Sequence, residues 1–173
     1  MIPMTQTREV IEAPLSSEEL ALKYRALCAD PCYASVPGKM ELDVWGRIVM
    51  TPPSFYHGRL CRCLAKLGGE VVVEVPMVTP TGLYVADVAW ASAAFMAAHG
   101  QETPLTRAPE ICGEVVSPSK SVKELREKIA AYLAAGAQEV WIVYPQSKRC
   151  EFHGKQGLIA LSRFAVDLAD VFS

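Results

Sequence analysis

The stretch PEICGEVVSPSKSVKELREKIAAYLAAGAQEVWIVYP, residues 109–145, decides the fold. It opens with a short run of apolar and β-branched residues, Ile111 to Val116, and closes with another, Glu139 to Tyr144, and both read as strands. Between them Ser121-x-x-Glu124 is a capping box, in which hydroxyl and carboxylate satisfy amide groups that the first turn of a helix leaves unpaired. Val122, Leu125, Ile129, Tyr132 and Leu133 recur at helical spacing as a buried stripe, and Gly136 stands just past the helix end. Strand, helix and strand in this order suggest a right-handed crossover unit.

Working upstream, Leu83 to Trp90 reads as a strand, followed by a short helix from Ser92 to Gly100. Val71 to Val73 with Val75 is too continuous and β-branched for a half-exposed strand, which predicts a central place in the sheet, with Pro76 to Gly82 as a loop. Ser16 or Ser17 caps a first helix that Pro31 and Cys32 end. Met40 to Val44 and Arg47 to Met50 form a hairpin around Trp45-Gly46, broken off by Pro52-Pro53. From Ser54 a helix carries Phe55, Leu60, Leu64 and Leu67 on one face until Gly68-Gly69. Downstream, Arg149 to His153 and Leu158 to Leu161 make a terminal hairpin, and Val166 to Phe172 a weak helix. The pattern is α/β, and 173 residues without a dividing linker suit one domain, 1–173.

Hydrophobic residues at 51% and charged residues at 21% allow a packed core and exclude the signature of a disordered chain. A net charge of −2 gives no overall positive field, so any contact with nucleic acid has to be local. Lys120, Lys123, Arg126 and Lys128 cluster, as do Lys148, Arg149 and Lys155, and a solvated helix face accounts for the first group more simply than a binding surface does. The first fifteen residues hold no apolar core of a signal peptide, and no run reaches the roughly 18 apolar residues that cross a bilayer. The expectation is an unexported, cytoplasmic protein with no membrane partner. Six cysteines match no template of paired C-x-x-C knuckles and are expected to be reduced thiols.

Two carboxylates interrupt strands that are otherwise apolar, Asp87 between Val85 and Ala89 and Glu114 between Cys112 and Val116. An ionised carboxylate is costly to bury alone, so such a group meets a cation, an Arg or Lys, or a metal, unless it lies at a strand end in water or against a loop. If the two strands are neighbours, the like charges meet, and a divalent ion would resolve their repulsion. Lys128, at about 100° per residue along its helix, falls beside Tyr132 on the border of the apolar stripe. A lysine there either covers apolar surface with its stem or reaches the end of the sheet.

VADVAWAS, PEICGEVVSPSKS and ELREKIAAYLAAGAQEVWIVYP, with the upstream ELDVWGRIVMTPPSFYHGRL, resemble the Uma-two family of restriction-endonuclease-like proteins within the PD-(D/E)XK nuclease superfamily. The likeness covers about residues 40 to 145. It implies a restriction-endonuclease-like mixed β-sheet flanked by α-helices, with an N-terminal helix and β-hairpin, and a Mg²⁺- or Mn²⁺-dependent endonuclease acting on DNA, with a homodimer for double-strand cutting. On that resemblance Asp87, Glu114 and Lys128 are the catalytic set, and Asp87, Glu114 and the Val115 carbonyl hold the metal. Lys128 stands in for the strand lysine that other members carry two residues after the Glu, where this chain has Val116. His57 and Glu41 match further family positions as accessory residues, whereas Ser117 and Ser119 fit a turn better than a nucleophile. A noncatalytic nucleic-acid- or protein-binding module keeping the same fold is the alternative, and a purely structural protein would send Asp87 and Glu114 to different surfaces.

Overall fold

Ser16 starts the first helix, α1 (Ser17–Ala29): its hydroxyl accepts the Glu19 amide, and the Glu19 carboxylate takes the Ser16 amide at 2.8 Å. In this computed structural model, residues 13–172 are described except 35, 37, 52–54 and 119, so Pro52-Pro53, Ser54 and Ser119 lie outside the described residues. Pro31, expected only to end a helix, opens the short α2 (Pro31–Ala34), because its fixed φ suits a first helical turn. The remaining helices are α3 (Tyr56–Leu64), extended by a 3₁₀ turn at Ala65–Leu67, α4 (Ala93–His99), α5 (Val122–Ala134) and α6 (Ala169–Phe172). The predicted capping box holds α5, with Ser121 and Glu124 bonded reciprocally.

Among the described residues eight strands form one mixed sheet: β1 (Lys39–Asp43), β2 (Ile48–Thr51), β3 (Glu70–Thr79), β4 (Gly82–Ala91), β5 (Ile111–Val115), β6 (Glu139–Tyr144), β7 (Arg149–Gly154) and β8 (Gly157–Ile159). β5 and β6 are parallel and joined by α5, as the crossover pattern requires. β4 organises everything else. Along one side it pairs with β3 over its whole length, from Gly82 opposite Thr79 to Ala91 opposite Glu70. Its other side is shared: β1 pairs at Gly82 and Leu83, β5 at Val88 to Trp90, and the stretch between lies open to side chains.

Alternation along β5 and β6 sends Ile111, Val115, Trp141 and Val143 to a core with Leu60, Cys63 and Leu64 of α3 and Val171 of α6. Cys112, Val140 and Ile142 face the other way, onto Leu125 and Tyr132 of α5. A third cluster seats Leu20 and Ala21 of α1 on Leu42, Leu83 and Val85. Gly113 faces α3, where a Cβ would stand 2.8 Å from the nearest Leu60 methyl, so α3 lies closer to β5 than a larger residue permits.

Three expectations are corrected. β3 is not central: among the described residues β4 is the one strand it pairs with, besides a single bridge from Met77 to Leu105, and Val73 is 52% exposed, because β-branching favours a strand without requiring both faces to be covered. Pro76 to Thr79 continue that strand instead of looping; an edge tolerates a proline, and the Pro76 carbonyl is taken by the Leu105 amide at 2.9 Å. Val122 is exposed, and the buried face of α5 is Leu125, Lys128, Ala131 and Tyr132. Among the described residues no helix is long and apolar enough to cross a membrane.

Candidate active site

The open stretch of β4 is filled by charge. Glu41 and Lys39, two residues apart on β1 and therefore on one face, turn toward Val85: its amide donates to Glu41 Oε1 at 2.9 Å, and its carbonyl accepts from Lys39 Nζ at 3.1 Å. The two side chains replace the ladder bonds that a continuous neighbouring strand would supply. One step further along, Asp87 Oδ2 accepts the Val115 amide at 2.6 Å, so this carboxylate ties β4 to the end of β5.

Asp87, Glu114 and Lys128 come together here, with 1%, 0% and 4% exposure. Glu114 points from β5 toward α5, where Tyr132 donates to Oε1 at 2.7 Å and Lys128 Nζ lies 3.3 Å from Oε2. Lys128 also donates to Glu41 Oε1 at 2.6 Å. His57, on the inward face of α3, places Nε2 3.1 Å from Asp87 Oδ2. All five side chains singled out in the sequence therefore surround one point, with the backbone of Val115 at its edge.

Sequence reasoning missed three further members. Lys39 pairs with Asp87 Oδ1, and its ammonium is 4.0 Å from Glu114 Oε2. Lys120, from the segment between β5 and α5, pairs with Glu114 Oε2. Tyr132, by spacing a member of the apolar stripe of α5, donates its hydroxyl to Glu114 Oε1. The strand period linking Lys39 to Glu41 and the helix period linking Lys128 to Tyr132 were signals for two of them; Lys120 lies outside regular structure, where no period applies.

Three carboxylates, Glu41, Asp87 and Glu114, thus face three ammonium groups, Lys39, Lys120 and Lys128. Burial alone would raise the Asp87 carboxyl; the hydrogen bond from His57 and the charges of Lys39 and Lys120 overcome it and hold the group below its ordinary value. Glu114 is likewise lowered, against burial and the neighbouring Asp87 charge, by Lys128, Lys39 and Lys120. Lys128 is raised, because Glu114 and Glu41 outweigh its burial, so it is a cation at neutral pH. Burial, with Glu114 and Glu41, pushes the Tyr132 hydroxyl well up, leaving it a neutral donor.

Above this cluster is a hollow of about 320 Å³, lined by Glu41, Tyr84, Ser117, Lys120, Glu124 and Lys128 among others. Asp87 and Glu114 do not reach its wall. A larger hollow of about 680 Å³ lies beyond the other ends of β5 and β6, near Glu110 and Gln138, far along the strands from the acid pair. The buried charges converge beneath the smaller one, which makes it the candidate site.

Among the described residues no three His, Cys, Asp or Glu side chains are grouped as ligands of one ion. The side-chain oxygens in the cluster are the carboxylates of Asp87, Glu114 and Glu41, hard donors of the kind Mg²⁺ and Mn²⁺ take. The donor chemistry fits such an ion, with Lys39 and Lys120 competing for the same oxygens.

No curated protein matches the chain. Among solved structures, a putative nuclease from Anabaena variabilis superposes with a TM-score of 0.62 over 92% of this chain and 98% of its own, at 16% identity, which establishes a shared fold. Residues 23–169 match the Uma2 family, described as a putative restriction endonuclease, and with most of the chain inside that match the protein belongs to this family.

Proposed function

We propose that this protein is a metal-dependent nuclease that hydrolyses phosphodiester bonds of DNA, with Asp87, Glu114 and the Val115 carbonyl holding Mg²⁺ or Mn²⁺ and Lys128 assisting. The observation that carries the reading is the convergence of two buried acids from neighbouring strands and a buried ammonium from the next helix beneath one hollow. A bound ion would polarise the phosphate and make coordinated water more acidic. Glu114 is held in place by Tyr132 and Lys128, and Asp87 by His57 and the Val115 amide. Lys128, already protonated, cannot accept a proton from water. Its role is to stabilise negative charge growing on the phosphate oxygens, and Glu41 fixes its position. Glu41 and His57 are positioning residues.

On this reading residues 1–173 act as one domain with its core at about 40–145, in the cytoplasm, and cutting both strands of a duplex calls for a homodimer that supplies two such sites. The specific observation favouring the other reading, a noncatalytic binding module, is that every oxygen of Asp87 and Glu114 already has a partner within the chain. Plasmid nicking separates the two. Purified protein with Mg²⁺ or Mn²⁺ is expected to convert supercoiled DNA to nicked and linear forms, and Asp87→Asn and Glu114→Gln to reduce this a hundredfold or more while still folding. Equal nicking by wild type and both folded variants would discard the assigned site.

A further inference from the structure

We propose that Lys120 is a displaceable latch over the acid pair, whose ammonium has to leave Glu114 before a divalent cation binds; this rests on the metal-dependent reading above. Asp87 and Glu114 are almost without solvent exposure, and the hollow above them touches neither. What separates them from it is a layer that includes Lys120, Lys128 and Glu41, all of which line the hollow.

The charge count explains why something must leave. Counted without the His57 imidazole beside Asp87, the buried set balances three carboxylates with three ammonium groups. A divalent ion added to it, with all three ammonium groups retained, would leave uncompensated positive charge in a place with almost no water to screen it. Expelling one ammonium cuts that excess from two charges to one.

The three lysines differ in how firmly they are held. Lys39 is fully buried and tied to both the Val85 carbonyl and Asp87, inside the sheet. Lys128 is fixed on the buried face of α5 and shared between Glu41 and Glu114. Among the described residues Lys120 has one ion-pair partner, Glu114 Oε2; its side chain is 8% exposed, it lines the hollow, and its backbone belongs to neither β5 nor α5. Of the two ammonium groups on the hollow, Lys128 is shared between two acids while Lys120 is held by Glu114 Oε2, and that is the oxygen it blocks. The site thus resists filling in the resting protein, and its affinity for the ion is set by a residue that is not itself a ligand.

The test is Mn²⁺ binding to DNA-free protein, followed by calorimetry and by loss of the free-ion paramagnetic resonance signal, in wild type, Lys120→Met, Lys120→Gln and Lys120→Met combined with Asp87→Asn. Both single variants are expected to bind Mn²⁺ at least tenfold more tightly than wild type, and the combined variant to lose that gain. Wild-type binding with unchanged or weaker affinity in both single variants overturns the latch and leaves the metal reading standing. Absence of Mn²⁺ binding up to 10 mM in wild type and in both single variants overturns both together.

Discussion

Replacing Lys128 with Met keeps the length of the stem and removes the ammonium that lies 2.6 Å from Glu41 and 3.3 Å from Glu114. At an effective dielectric constant of about 20, unit charges at such separations attract by roughly 5 to 6 kcal/mol, before the cost of stripping water from the lysine is set against it. Breaking a buried pair by deleting one partner leaves the other uncompensated, and the net loss is about 3 to 5 kcal/mol. For a domain of this size that lowers Tm by roughly 10 °C. Glu41→Gln should cost less alone, because Gln still accepts the Val85 amide. Combining the two changes restores the balance of charge, so the double variant should be more stable than the sum of the single losses implies, by about 2 kcal/mol. Urea unfolding of the four proteins at pH 7 measures the cycle. A loss below about 1 kcal/mol for Lys128→Met, or strict additivity in the double variant, would refute the buried charge cluster.

Stability should also carry a pH signature. Asp87 and Glu114 are lowered in the fold, so their contribution is complete above the unfolded-chain values near pH 4 and is lost as pH falls through the lower folded values. Lys128 is raised, so its contribution is complete below its unfolded value of about 10.4 and is lost only as pH rises through the folded one. Urea midpoints should therefore fall steeply on acidification below about pH 4 and stay nearly flat from there to about pH 9, apart from other titrating groups; a midpoint that rises on acidification contradicts this. Tyr132→Phe removes the donor to Glu114 Oε1 and should cost about 1 to 3 kcal/mol in the same assay, with an unchanged stability counting against that hydrogen bond. Gly82→Ala would place a Cβ 2.7 Å from the Leu42 carbonyl oxygen, at a φ of +145° that side chains avoid. It should destabilise by about 2 kcal/mol or more and loosen β1, which carries Lys39 and Glu41, whereas a neutral effect would mean that the β1–β4 junction is not as close as described.

The order of elements from β4 to β6 was legible because each carries its own local signal: a capping box, a clean helical stripe, strands bounded by turns. Asp87, Glu114 and Lys128 stood out as charges in apolar settings, and the structure brings them together with His57 and Glu41. The mistakes have one physical origin. Val71 to Val75 and Pro76 to Thr79 obey local rules whose outcome depends on what lies alongside, and a sequence does not say that β3 runs at an edge with Leu105 beside it. Val122 and Lys128 trade places for a similar reason: the helical period fixes the angle between them, but the acids on β1 and β5 decide that the lysine faces inward. Lys120 could be found only in three dimensions, since its partner is set by where the chain goes after Ser117.

On the proposed function, Asp87 and Glu114 take one divalent ion between them. Anomalous diffraction from crystals grown with Mn²⁺ should show a single strong peak about 2.0 to 2.6 Å from both carboxylates and the Val115 carbonyl, with Lys120 turned away from Glu114. A peak bound elsewhere, or both acids still closed on Lys39 and Lys120 at saturating Mn²⁺, would contradict it.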